Sequence, residues 1–186
     1  MTRGPVVLVT GLPGSGKTAL AARLGQAFGL PLLSLDSVKE GVVDGLGEAT
    51  PDDRFAIRKA AREVVVRLVA DNPQGSVIDI WLNPTRDESS FTDVLGGVEG
   101  ISVVEVVCRV PLAIALERYT ARDLQGHRHG AHLPLDDATL ERMELAAPHI
   151  GPTGMGPHLD VDTSEPVDDD RFADLVSSLR SHGVGR

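Results

Sequence analysis

The stretch Gly11-Leu12-Pro13-Gly14-Ser15-Gly16-Lys17-Thr18 decides the fold of this 186-residue chain. It fits the phosphate-binding pattern G-x-x-x-x-G-K-[ST] at every fixed position. Its glycines let the backbone pass close to an anion with the N–H groups pointing inward. The pattern assigns Lys17 to the β- and γ-phosphates of a nucleoside triphosphate, and the Thr18 hydroxyl to Mg²⁺. We therefore expect the following residues to bind ATP: Gly11, Pro13, Gly14, Ser15, Gly16, Lys17 and Thr18.

The residues on either side of this loop have the context that phosphate binding needs. Val6-Val7-Leu8-Val9 is a short apolar run, typical of a strand that is buried on both faces. Downstream, Leu20, Leu24 and Phe28 recur at helical spacing, and Gly29 is a typical helix end. A loop between such a strand and such a helix presents the positive N-terminal end of the helix to the anion.

Strands and helices alternate along the rest of the chain. After Thr50 and Pro51, a helix is predicted to run to Asn72-Pro73, with one apolar face. That face consists of Ile57, Ala61, Val64 and Leu68. Further strands are predicted at 32–35, 76–80, 101–108 and 158–162, and helices at about 90–95, 111–123, 136–146 and 168–179. This alternation predicts one α/β domain over residues 1–186, built on a parallel sheet.

Composition narrows the class of protein. The net charge of −9 disfavours nucleic acid as a partner, because phosphate-backbone binding needs an excess of lysine and arginine. No apolar run approaches the roughly 20 residues that span a bilayer, and the N-terminus does not resemble a signal peptide. A single cysteine, Cys108, agrees with a reducing compartment, so we expect a cytoplasmic protein without membrane contact. The sequence does not determine its oligomeric state.

The chain lacks the guanine-reading element of a GTPase, Asn-Lys-x-Asp. None of its three lysines, Lys17, Lys39 and Lys59, is followed two positions later by aspartate. A switch-type D-x-x-G match at 44–47 falls inside a predicted helix. Of the small P-loop proteins, a kinase is the class that remains.

Two aspartates lie at the ends of predicted strands, at the sheet edge where doubly wound folds bind substrates. Asp36 is placed to accept the proton of an attacking hydroxyl or to bind substrate, and the alternative is a cap on a helix beginning at Ser37. Asp79 is placed to hold Mg²⁺ through water or to face the acceptor pocket, or else is a plain strand-end aspartate. Trp81, just beyond, either lines an acceptor pocket or packs in the core.

Arginines cluster on the helix after the fourth strand and in the loop that follows. Arg118 and Arg122 are four residues apart on one helix face, and Arg128 comes next. In this position they are expected to close over the triphosphate and to neutralise charge that develops during transfer. Pairing with Glu117 and Asp123 on a solvated helix is the alternative.

The same loop carries three histidines, His127, His129 and His132. A zinc site is disfavoured because the sequence has no second ligand cluster and Cys108 is isolated. A basic, glycine-flanked lid loop is the better interpretation.

Three segments together resemble the AAA_33-type P-loop kinases, which include phosphotransferases similar to chloramphenicol phosphotransferase and the kinase domain of polynucleotide kinase. They are the Gly-x-Pro-Gly-Ser-Gly-Lys-Thr loop, Leu-Ser-x-Asp-x-x-Lys-Glu at 33–40 and Glu-Arg-Tyr-x-x-Arg at 117–122. The resemblance implies a five-stranded parallel sheet with a small helical lid at about 118–135. It also places Asp36 at the position of the general base. We expect Lys39, three residues further on, to belong to the substrate site. In such folds the loop after the last strand, here 160–164, often runs past the adenine base.

The sequence thus predicts an ATP- and Mg²⁺-dependent kinase that phosphorylates a hydroxyl on a small molecule. One rival is a kinase for nucleic-acid ends, with Arg54, Arg58 and Arg62 forming a basic groove on one helix face. The other rival is a non-catalytic module whose ATP-bound lid recruits a protein.

Overall fold

A computed structural model of the chain describes residues 3–47, 50, 53–83, 89–124, 129, 131–132 and 136–185, with only the backbone at 89 and 90. Five parallel strands form one sheet in the order β2-β3-β1-β4-β5. The strands are β1 (Val6–Gly11), β2 (Leu32–Ser34), β3 (Ser76–Asp79), β4 (Val103–Arg109) and β5 (His158–Asp162). The predicted five-stranded parallel sheet is confirmed.

Helices cover both faces of this sheet. They are α1 (Lys17–Phe28), α2 (Leu35–Leu46), α3 (Asp53–Asp71), α4 (Ser89–Gly96), α5 (Leu112–Leu124), α6 (Asp137–Ala146) and α7 (Asp169–Ser181), with a 3-10 turn at Ala147–His149. Gly29 ends α1 with a φ of 65°, as its position predicted. Pro51, the predicted first residue of α3, lies outside the described residues.

The central strand β1 is buried on both faces, as its apolar run predicted. Val7 and Val9 pack with residues of α1 and α7, including Leu24. Val6 and Leu8, which point to the opposite face, pack with residues of α3 and α4. Because side chains alternate along a strand, one continuous apolar run supplies two cores.

The predicted apolar face of α3 is partly wrong. Val64 and Leu68 are each 42% exposed, whereas Val65 and Val69 are buried. The buried positions follow a row of every fourth residue, which begins at Ile57. Such a row is inclined to the helix axis by about 26°, so the contact with the sheet winds around the helix instead of following one straight stripe.

The strand order places the carboxyl end of β1 at a switch point, because the chain passes from β1 to strands on one side of it and later to strands on the other. Strand register then fixes which residues meet at this edge. Ser34 lies beside Asp79, which lies beside Val9, and Gly11 lies beside Cys108. The phosphate loop therefore leaves the sheet next to the ends of β2 and β3.

Candidate active site

The phosphate loop is built on glycines that no other residue replaces without strain. Gly14 and Gly16 have φ values of 83° and 84°, in the left-handed region. A Cβ at Gly14 would lie 2.1 Å from the carbonyl oxygen of Ala115. Helix α1 begins directly after Gly16, and no side chain caps its first turn. Its N–H groups therefore point to the space that a phosphate takes.

Gly14→Ala is expected to lower the free energy of unfolding by about 3 kcal/mol, because it combines left-handed strain with overpacking. Gly45→Ala is the matched control, since Gly45 lies in α2 and an added Cβ there meets nothing within 4 Å. That control should gain about 0.5–1 kcal/mol. Thermal and urea denaturation measure both changes, and equal stability of the two variants would contradict the loop geometry.

Lys17 is buried, and its Nζ donates a hydrogen bond of 3.4 Å to the carbonyl oxygen of Leu12 within the loop. Its charge acts on three groups at the sheet edge: it lowers the pKa of Asp36 and partly offsets the increases at Asp79 and Cys108. Burial raises the pKa of the Cys108 thiol to about 12, so this cysteine is neutral and is not a nucleophile.

Asp79 fits a magnesium site. Its side chain is buried, and among the described residues its Oδ1 has no hydrogen-bond partner. Burial raises the pKa of this carboxyl, while Lys17 and the Thr18 hydroxyl partly offset the increase. A buried carboxylate oxygen without a partner, beside a hydroxyl that the loop pattern assigns to Mg²⁺, is the hard oxygen donor set that this cation prefers.

Asp79→Asn is expected to stabilise the ligand-free protein at pH 7–8. The raised pKa means that native stability is greatest while Asp79 is protonated and is lost as the pH rises through the native pKa. Removing the charge should recover on the order of 1 kcal/mol, a shift of a few degrees in Tm. The advantage should shrink toward pH 4, and stabilisation by Mg²⁺ with ATP should fall. Melting curves across pH test this, and a variant less stable than its parent at pH 8 would contradict it.

The structure corrects the position of Asp36. Strand β2 ends at Ser34, whose hydroxyl accepts a hydrogen bond of 3.4 Å from the Ser37 N–H and caps α2. Asp36 therefore lies in the first turn of α2, beyond the strand, and is not the cap residue. Its neighbour across that turn is Lys39, whose Nζ is 2.5 Å from Asp36 Oδ1. The last residue of the strand, Ser34, already supplies the capping oxygen, which leaves the aspartate available.

Asp36 is ionised at neutral pH. Burial opposes its ionisation, but the pKa of the carboxyl is lowered because Lys39, and at longer range Lys17 and His132, outweigh that effect. The side chain lines a cavity of about 570 Å³ that also contains Lys17 and Thr18. An anionic oxygen acceptor thus shares one cavity with the phosphate loop.

The two lid arginines, Arg118 and Arg122, contact different parts of the structure. The Arg118 guanidinium donates to the carbonyl oxygens of Thr163 at 2.7 Å and Ser164 at 2.5 Å, in the loop after β5. That loop lies against the phosphate loop, because a Cβ at Gly16 would be 4.0 Å from the Thr163 side chain. Arg122, one turn further along α5, lines the cavity with Asp36.

The described part of the predicted lid contacts α2 and α3. His129 Nε2 is 2.9 Å from Asp44 Oδ1, and His132 Nε2 is 2.6 Å from Glu40 Oε1. Arg54 on α3 donates a hydrogen bond of 3.2 Å to the carbonyl oxygen of His132. Within the described ranges no group of three or more metal-ligating side chains comes together. His127, Arg128 and the other residues of 125–128, 130 and 133–135 lie outside them.

The remaining cavity wall holds residues that sequence reasoning assigned elsewhere or missed. Trp81 lines the cavity and also packs against the apolar cluster that contains Leu12 and Tyr119. The arginines of α3 that the sequence suggested as a basic groove in one rival function line this cavity: Arg54, Arg58 and Arg62. The four-residue spacing of these arginines was the feature of the sequence that placed them on one side of the helix. Phe55, Asn83 and Tyr119 also line it and carried no signal of their own.

A model of the AAA_33 family, described as an AAA domain, matches residues 6–147. This chain belongs to the AAA_33 family. The match spans the phosphate loop, α2 with Asp36, the arginines of α3 and all of α5. None of the helices in the described part of the chain has the length and hydrophobicity that a membrane span requires.

Relatives of this AAA_33 protein are kinases. Adenylyl-sulfate kinase of Shewanella amazonensis is 32% identical over 186 residues, which covers 97% of this chain and 87% of the relative. A solved candidate kinase from Chloroflexus aurantiacus has a TM-score of 0.79 at 27% identity, covering 97% and 99% of the two chains. Shikimate kinase from Acinetobacter baumannii has a TM-score of 0.62 at 14% identity, covering 97% and 95%, and shares the fold. The adenylyl-sulfate kinase relatives support a P-loop kinase that acts on a small molecule.

Proposed function

We propose that this protein transfers the γ-phosphate of ATP, with Mg²⁺, to a hydroxyl group of a small molecule. One observation carries the proposal: a single cavity has the phosphate loop at one wall and the ionised carboxylate of Asp36 at another. Phosphoryl transfer depends on positioning and charge stabilisation more than on covalent chemistry by the protein. The residues around this cavity supply both.

The nucleotide side consists of the phosphate loop, Lys17 and the loop after β5. The inward-pointing amides of the loop and the N-terminal end of α1 bind the phosphates. When ATP binds, Lys17 exchanges its hydrogen bond to the Leu12 carbonyl for contacts with the β- and γ-phosphates. Thr18 and Asp79 would hold Mg²⁺, which would supply the positive charge that neutralises the phosphates. Arg118 donates hydrogen bonds to Thr163 and Ser164 and so positions the loop after β5. In this proposal the base of ATP binds against that loop.

The acceptor side depends on Asp36. Its carboxylate accepts a hydrogen bond from the attacking hydroxyl and orients the oxygen toward the γ-phosphorus. A lowered pKa suits a loose transition state, in which the proton leaves late and a strong base is not required. Lys39 keeps Asp36 ionised and oriented, and Arg122 neutralises charge on the phosphoryl group in transfer.

The adenylyl-sulfate kinase relatives support a small acceptor. The chain spans 87% of the Shewanella relative, although only 60% of a second one, from Erwinia tasmaniensis, that is 37% identical over 130 residues. A cavity of about 570 Å³ lies within the size range of sites for small ligands.

The test is transfer of label from γ-labelled ATP with Mg²⁺ to panels of hydroxylated metabolites, antibiotics and oligonucleotides. We expect a labelled small-molecule product and no labelled oligonucleotide. Labelled 5′ ends would favour the kinase for nucleic-acid ends. Tight ATP binding with no labelled acceptor in any panel would favour the non-catalytic module.

A further inference from the structure

The charge of the cavity is opposite to that of the whole chain. Among the residues that the structure describes, six lysine and arginine side chains and two carboxylates line it, in a protein with a net charge of −9. The cations are Lys17, Lys39, Arg54, Arg58, Arg62 and Arg122, and the carboxylates are Asp36 and Glu40. Such a concentration of one sign, inside a partly enclosed site, attracts ligands of the other sign.

ATP does not account for all of these cations. Lys17 and Arg122 serve the phosphates in the proposed function. Lys39 pairs with Asp36 at 2.5 Å, and Glu40 pairs with His132 of the lid. The proposed function gives no role to the three arginines of α3.

These arginines form a row on one side of α3. They are spaced by four residues, which is a step of about 6 Å along the helix axis. All three are half-buried, whereas Lys59 and Arg67 on the same helix are exposed and do not line the cavity. The row therefore faces the cavity because of how α3 packs, and is not a general feature of its solvated surface.

Arg58, in the middle of the row, has the clearest opening for a ligand. Among the described residues no carboxylate pairs with it, and its one aromatic contact places the guanidinium 5.6 Å from the centre of the Phe55 ring. Arg54 donates to the His132 carbonyl through one nitrogen, and a guanidinium retains further donors. Like charges four residues apart on a helix repel each other, and a bound anion offsets this repulsion.

We propose that the phosphate acceptor is a small hydroxylated organic anion whose oxyanion binds the row Arg54–Arg58–Arg62, with Arg58 as the main contact. The inference rests on the proposed function, and it adds the chemical class of the acceptor. A carboxylate, a phosphate ester and a sulfate ester share the oxyanion geometry that an arginine fork binds with two parallel hydrogen bonds. While the oxyanion is held at α3, the hydroxyl of the same molecule reaches Asp36 on α2.

The lid favours a small anion over the end of a nucleic acid. His132 contacts Glu40 on α2 through its ring and Arg54 on α3 through its carbonyl, so it bridges the two helices that flank the acceptor side of the cavity. We expect this bridge to obstruct a polymer that enters between the two helices and to leave room for a small molecule.

The first arm of the test measures anion binding without knowledge of the acceptor. The full chain is saturated with a non-hydrolysable ATP analogue and Mg²⁺, which occupies the phosphate loop, and is then titrated with inorganic sulfate while Tm is followed. Saturable stabilisation is expected for the parent and for the control Arg67→Gln, and little or none for Arg58→Gln. Equal responses of parent and Arg58→Gln would overturn the inference. Arg58→Lys keeps the positive charge and loses the two parallel donors of the guanidinium, so sulfate should stabilise it only weakly. This variant also provides a second measurement if Arg58→Gln does not fold properly.

The second arm uses γ-labelled ATP and matched acceptor pairs: hydroxy acids with their amides, sugar phosphates with their sugars, and nucleoside monophosphates with their nucleosides. Only the anionic member of a pair should be labelled, and the pair that responds identifies the source of the oxyanion. For that acceptor Arg58→Gln should raise KM by about 10- to 100-fold and change kcat little. Equal labelling of a neutral member would overturn the inference and leave the proposed function intact. If ATP binds and nothing is labelled, the proposed function fails, while the sulfate titration still judges the anion site.

Discussion

Lys17→Ala is expected to lower kcat by about 10³-fold. The ammonium is the buried cation at the start of α1, and it lies where negative charge accumulates on the β- and γ-phosphates. Loss of one charge-assisted contact should also weaken ATP binding by about tenfold or more. Initial rates of label transfer and calorimetric titration with ATP and Mg²⁺ measure the two effects.

Lys59→Ala is the matched control for this substitution, since Lys59 is an exposed lysine on α3 outside the cavity. It should leave both kcat and ATP affinity close to those of the parent. A Lys17→Ala protein that is folded and transfers phosphate within a few-fold of the parent would refute the assigned role of the loop.

Asp36→Asn is expected to lower kcat by about 10²- to 10⁴-fold while ATP affinity changes little. Asparagine keeps the size of the side chain and loses the negative charge that receives the acceptor proton. Asp36 belongs to the acceptor side of the cavity, so the loss should fall on transfer and on acceptor binding. Single-turnover rates at saturating ATP separate it from nucleotide binding, and a variant that transfers as fast as the parent would exclude Asp36 as the base.

Lys39→Gln distinguishes loss of the ion pair from loss of the carboxylate. It breaks the contact at 2.5 Å and leaves Asp36 in place, so its effect on kcat should be smaller than that of Asp36→Asn. Lys39 is the main group that holds the pKa of Asp36 below its usual value against the effect of burial. Without it, the native pKa rises, and the acid side of the rate profile should move to higher pH. A profile that stays in place would mean that Lys39 does not control the ionisation of Asp36.

Local signals sufficed for the phosphate loop and for most elements. The pattern at Gly11 to Thr18 predicted the loop because each glycine is required by its own backbone conformation. The end of β2 was misplaced because a strand end and a helix cap compete within the same few residues, and Ser34 takes the capping role. The exposed Val64 and Leu68 show the same limit for α3, since both have the residue type of a core position.

The two lid arginines show what spacing leaves undecided. Arg118 and Arg122 share a helix face, and the sequence predicted one role for both. In the structure Arg118 contacts the carbonyls of Thr163 and Ser164, more than forty residues away in the chain. Arg122 instead faces the cavity. One helical turn is enough to bring two identical side chains to different neighbours.

The sequence by itself determined the phosphate loop, the alternation of strands and helices, and hence the parallel sheet with its binding edge. These follow from backbone conformation and apolar periodicity, which act over a few neighbouring residues. Only the tertiary structure decided that Asp36 of α2, the arginines of α3 and Arg122 of α5 line one cavity with Lys17. Their meeting depends on how three helices pack around the sheet, and contacts between distant segments leave no trace in local spacing. The same packing places the row of arginines of α3 in the wall of the candidate active site.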